Sequence, residues 1–185
     1  QPAAVAYWSA LHYWTMTEQV PRTVFVQSTS RKHQREKEIL GVSFCFITVV
    51  ESKFFGVSKR SVGGQSTYVT NREKTVVDAA DRLDLSGGVA QLAQVLRTSW
   101  RDLDWLQLDD YLDRWPTKSP IKRLGYLVET LNLPIPNREE RLVHWRRSLS
   151  TGIALLEPGQ GTEGPIVTRW RLQVNVDETW QRDTH

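Results

Sequence analysis

The stretch AYWSALHYWTMTEQVPRTVFV, residues 6–26, frames the reading of everything after it. Its spacing predicts an aromatic helix over 7–14, a turn over 15–21 and a first strand over 23–26. Tyr7, Trp8, Tyr13 and Trp14 carry large apolar areas at little cost in side-chain entropy. The segment is therefore expected to be buried against a sheet that begins near Val24, and to catalyse nothing.

Working outward, TVFVQST (23–29) has the β-branched and aromatic content of a strand. RKHQREKE (31–38) reads as a charged connection. In ILGVSFCFITVV (39–50) both alternating faces are apolar, which predicts a central strand covered on both sides. Residues 57–70 read as a hairpin turning at Gly63-Gly64, where a tight turn needs positive φ. The signals then become helical. Thr70-x-x-Glu73 is a capping box that starts a helix near Asn71, with Val76, Ala80 and Leu83 inward. Ser86 is placed to cap a helix over 87–99, with Val89, Leu92, Ala93 and Leu96 inward. A third helix over 103–115 has Trp105, Leu106 and Tyr111 as core candidates. Ser119-Pro120 opens a fourth, striped by Ile121, Leu124, Val128 and Leu131. Residues 138–148 predict a short basic helix containing Trp145. PGQGTEGP (158–165) has loop composition, residues 166–176 alternate as a half-exposed strand, and 177–185 are expected to form a loose tail. The expected fold class is α+β: a mixed β-sheet from the N-terminal half packed against a helical layer, with a returning C-terminal strand.

The chain has 185 residues, eight Trp and a formal net charge of +3, enough for one domain, expected over 1–176. No apolar run approaches the length of a membrane-spanning helix, and no leader pattern is visible. The single Met is Met16, so the sequence is expected to be processed or excerpted from a longer one. The single Cys45 lies in an apolar run and excludes a disulfide within the chain, which fits a reducing cytoplasm. Charge is unevenly spread. Residues 22–50 hold five Lys/Arg against two Glu, and 114–147 hold eight against three. Between them, 84–113 hold six Asp against two Arg. Two basic blocks around an acidic one suit an anionic partner such as nucleic acid, and also suit ordinary solvated surface.

His12, His33, His144 and His185 are scattered, and with one Cys no zinc-site spacing exists. Phosphate-loop, dinucleotide and nucleophile-elbow motifs are absent, so neither a cofactor nor a metal is expected. Glu51-Ser52-Lys53 after a strand resembles part of a metal-dependent nuclease signature. A nuclease would need a further carboxylate on a neighbouring strand, and Asp78, the first Asp of the chain, falls on a predicted helix. Lys74, Asp78, Asp81 and Arg82 share helical spacing, which suits acid–base work but more often marks a salt-bridged solvent face. The clearest candidate contacts are basic: Arg31, Lys32, His33, Arg35 and Lys37, and a second group of Arg138, Arg141, Arg146 and Arg147 interleaved with His144 and Trp145. Such residues neutralise phosphates without reading sequence; the first group equally suits gatekeeping of the strands beside it.

Five stretches in order, AYWSALHYWTMTEQVPRTVFVQ (6–27), FFGVS (54–58), TNREKTVVDAADRLDLSGGV (70–89), KRLGYLVETL (122–131) and RWRLQVNV (169–176), together resemble the AbiEi-type antitoxins of type IV toxin–antitoxin systems. These are also described as transcriptional regulators. The resemblance implies the C-terminal antitoxin domain of a cytoplasmic protein, without enzymatic activity, that counters a nucleotidyltransferase-like toxin. It also implies a DNA-binding winged helix-turn-helix upstream through which the operon is repressed. The matching residues are aromatic, glycine and apolar, and imply fold rather than catalysis. Two other classes stay open: a divergent nuclease using Glu51, Lys53 and Asp78, and a dimerisation module for the upstream domain.

Overall fold

The computed structural model describes residues 2–31 and 34–181. Strand β1 (Ala3–Val5) runs into helix α1 (Tyr7–Tyr13), and β2 (Thr23–Ser28) returns antiparallel onto β1 with Val26 opposite Val5. The opening stretch is thus a strand–helix–strand unit. Tyr7 is buried, whereas Trp8, Tyr13 and Trp14 are only half-buried. With β3 (Glu36–Ile39), β4 (Val42–Thr48), β5 (Val57–Val62) and β6 (Gln65–Thr70), β1 and β2 complete a six-stranded sheet of order β3-β4-β2-β1-β6-β5. β2 with β4 and β1 with β6 are parallel pairs and the rest antiparallel, so the sheet is mixed.

The 39–50 run departs from its expected form. It is interrupted at Leu40-Gly41, a two-residue turn, and the charged stretch before it supplies the edge strand β3. β4 then alternates: Cys45 and Ile47 are buried, while Phe44 and Phe46 are half-buried. One face of β4 meets Phe25, Tyr7 and Leu85 in a small apolar cluster. The other face is not covered as the apolar pattern suggested. The β5–β6 hairpin turns at Gly63-Gly64 as expected.

The second half is helical. α2 (Arg72–Asp81) is buried on every side rather than along one stripe. Its cap is Asn71, not Thr70: the Asn71 Oδ1 accepts from the Lys74 backbone N–H at 2.9 Å, and its Nδ2 donates to the Tyr111 hydroxyl. Glu73 accepts from the Asp104 N–H instead of closing a capping box. α3 (Gly88–Ser99) follows a left-handed Gly87, and its Val89 N–H donates to the distant Glu157 carboxylate at 2.5 Å; Ser86 makes no side-chain cap. α4 (Trp105–Arg114) is capped by Asp104 and buries Trp105 and Tyr111, but Leu106 is 75% exposed. α5 (Ser119–Thr130) starts one residue earlier than expected, with Lys118 at the cap position. α6 (Arg138–Arg147) buries Trp145. The main core is built from these helices around α2, with the C-terminal Trp170, Leu172 and Val174.

The returning strand exists but does not join the main sheet. β7 (Ala154–Leu155), β8 (Ile166–Val167) and β9 (Leu172–Gln173) form a separate small sheet of order β7-β9-β8. A 3-10 turn, Thr168–Trp170, breaks the expected continuous strand, because Trp170 turns inward. A Cβ on Gly125 of α5 would lie 2.1 Å from the Trp170 ring, so only glycine admits it there. The tail is also not loose throughout. Trp180 is 7% exposed beside Tyr126, and the Gln181 carbonyl accepts from Arg97 at 2.6 Å.

Candidate functional site

The first basic group sits at the free edge of the main sheet. Arg31, Arg35 and Lys37 are exposed on β3 and the connection before it; Lys32 and His33 lie outside the described residues. Register sorts the charges of β3. Directly opposed residues of an antiparallel pair share a face, so Glu36 (opposite Cys45) and Glu38 (opposite Ser43) share one face, and Lys37 (opposite Phe44) takes the other. On the glutamate side, Thr23, Phe25, Cys45 and Leu85 line a groove of about 440 Å³. The Arg82 hydrogen bond lowers the Asp84 carboxyl, with a smaller contribution from the field of Arg35.

The second basic group does not form a phosphate-binding face. Arg141 has a side chain only 4% exposed; its Nε donates to both Asp109 oxygens at 3.1 and 2.9 Å, and its Nη1 to the Pro136 carbonyl. The Trp145 indole donates to the same Asp109 at 2.8 Å. Arg146 pairs with Glu129 at 3.6 Å, Arg138 pairs with Glu139, and His144 lies 3.1 Å from Asp113. Arg147 is exposed, on a surface shared with Glu139, Glu140 and Val143. Arg141 and Trp145 fasten α6 onto α4; two Asp of the upstream acidic block, Asp109 and Asp113, supply partners to α6.

A cluster of opposite charges lies at the centre of the molecule. Lys74 Nζ pairs with Asp78 Oδ1 one turn along α2, with side-chain exposures of 0% and 3%. Lys53 Nζ reaches Asp81 at 2.6 Å. Both ammonium groups sit over the Trp115 ring, at 4.8 and 5.1 Å, and Lys74 also over Phe55. Burial pushes the Asp78 carboxyl up to about 6 against the pull of Lys74, and burial lowers the Lys74 ammonium against the pull of Asp78. The solvent-face expectation therefore fails for Lys74 and Asp78, and Arg82 pairs with Asp84 rather than with Asp78. Gly56, within the matching FFGVS, passes so close that a Cβ would lie 2.9 Å from the Lys74 Cβ and 3.1 Å from the Tyr111 hydroxyl.

The residues of the nuclease reading are held apart in role. Glu51 is exposed in a 3-10 turn, Lys53 is engaged by Asp81, and Asp78 is buried against Lys74. Among the described residues no group of three His, Cys, Asp or Glu side chains is placed to share a metal ion. Sequence reading missed the buried Arg123, whose guanidinium donates to the Ala80, Asp81 and Leu155 carbonyls and ties the end of α2 to the small sheet. Its position beside Leu124 in a helical stripe was the available signal. Among the described residues no helix is long and apolar enough to cross a membrane.

No family model and no curated protein matches the chain. Among solved structures it is similar to the Rv2827c protein from Mycobacterium tuberculosis, at 17% identity and a TM-score of 0.62 over 92% of this chain. The chain spans 61% of the length of that protein, and at this identity the likeness concerns the fold alone.

Proposed function

We propose that this chain is the antitoxin domain of a type IV toxin–antitoxin pair, a non-enzymatic module of a cytoplasmic protein that counters a nucleotidyltransferase-like toxin through its exposed basic edge. One observation carries the reading: the resembling stretches meet one another at buried positions, while Arg31 and Arg35, on the connection before β3, and Lys37, on β3, stand exposed at the sheet edge. FFGVS meets TNREKTVVDAADR at Gly56 and Lys74, and KRLGYLVETL meets RWRLQVNV at Gly125 and Trp170. Shared interior pairs of this kind preserve a scaffold, and leave the exposed edge to make contacts. Repression of the operon would belong to an upstream DNA-binding domain, with the basic edge adding contact to phosphates.

The test is growth rescue. Co-expression with the nucleotidyltransferase-like reading frame adjacent to its gene is expected to restore growth that the toxin alone arrests. Continued arrest with the folded chain present at excess contradicts the proposal.

A further inference from the structure

We propose that the open face of β3, β4 and β2 is a platform for single-stranded nucleic acid, with Phe44 and Phe46 stacking on successive bases and Lys37 meeting the backbone. Parallel register places Val24 beside Phe44 and Val26 beside Phe46, and Ile39 and Lys37 continue that face onto the edge strand. The four central residues are half-buried and, among the described residues, pack against neither apolar cluster of the molecule.

Three features select the occupant. The Phe44 and Phe46 rings lie nearly parallel, 6.2 Å between centroids and 14° between planes, on one face of β4. Aromatic rings on an open sheet are how several folds hold unstacked bases, sequence-tolerantly because every base has a π-face. Secondly, the charges suit an anionic chain: the paired strand positions of this face carry Lys37 and no carboxylate, while Glu36 and Glu38 are turned to the other side. Thirdly, exposed Arg31, on the connection leading to the edge strand, adds a second cation near this end of the sheet. A duplex would present phosphates and sugars to these rings, and would leave them without a stacking partner.

The platform uses the same basic edge as the proposed function but does not rest on an antitoxin role. Fluorescence anisotropy of the purified chain with labelled mixed-sequence RNA and DNA single strands of about ten nucleotides, and with the matching duplexes, tests it. Single strands are expected to bind more tightly than duplexes. A Phe44→Leu/Phe46→Leu variant, which keeps the face apolar, is expected to lose about tenfold or more in affinity at an unchanged melting temperature. Lys37→Glu is expected to weaken binding and flatten its salt dependence. Absence of single-strand binding, preference for duplex, or equal affinity in the double Phe variant overturns the proposal. So does light scattering that finds a dimer abolished by the same variant, because a second copy would then occupy the face. Growth rescue is read separately in cells, so loss of binding and loss of neutralisation are distinguishable.

Discussion

Leu40 stands in the left-handed region at φ +51°, followed by Gly41 at +76°, with its side chain 99% exposed. This is the two-residue hairpin geometry that asparagine–glycine fits best, and a leucine there costs about 1–2 kcal/mol with no burial to offset it. Leu40→Asn is therefore expected to stabilise the chain by about 1 kcal/mol in urea unfolding; a loss of stability would contradict the turn. Lys74 and Asp78 make the opposite case, polar groups wholly inside. Replacing either alone, Lys74→Met or Asp78→Leu, leaves a buried charge unpaired and is expected to cost about 3–5 kcal/mol. The double replacement is expected to come close to neutral. Denaturant titration of the three variants checks this. A folded double variant that no longer neutralises toxin would assign the pair a role beyond packing.

At the scale of elements, α6 shows why net basicity is a poor guide to a contact surface. Its sequence, REERLVHWRR, reads as a cationic patch because the partners of Arg141 and Arg146 lie elsewhere in the chain, at Asp109 and Glu129. Arg141→Ala is expected to destabilise by about 3 kcal/mol, since Asp109 would stay partly buried without its partner. Arg147→Ala is expected to change stability by less than about 0.5 kcal/mol. Comparable losses for the two in thermal unfolding would contradict the docking of α6 on α4. The same dependence on distant partners limits what was legible elsewhere. The helices were readable from apolar spacing and from the residues that break them, though not their caps, and the β5–β6 hairpin from its glycines. The cap of α3 was not, because Glu157 comes from far along the chain. The break in the last strand was not, because it answers to Gly125. Alternation in 39–50 showed apolar residues on both faces but not the break at Leu40-Gly41; that one face of β4 lacks a layer above it appears only in the packing of the apolar clusters.

For the whole molecule, the arrangement is a helical body built around α2, joined to a mixed sheet whose β3 edge and neighbouring face stand open. The α+β class, the helix and strand of the opening stretch and a C-terminal strand were readable from pattern; β1 (Ala3–Val5), three residues long, was not. The candidate surface was half readable: Arg31, Arg35 and Lys37 were identified by charge, while Phe44 and Phe46 looked like ordinary core. That division follows from physics, because charge announces itself locally and an uncovered apolar face does so only in three dimensions. In the proposed role this edge acts by contact while the interior provides the scaffold. The most direct measurement of that role is growth rescue by a triple charge reversal, Arg31→Glu/Arg35→Glu/Lys37→Glu, beside Arg147→Glu as a surface control, each with its melting temperature. Under the proposed antitoxin role the triple variant is expected to fold like the parent and fail to neutralise the toxin, while the control neutralises fully. A triple variant that folds and rescues growth as well as the parent would contradict it.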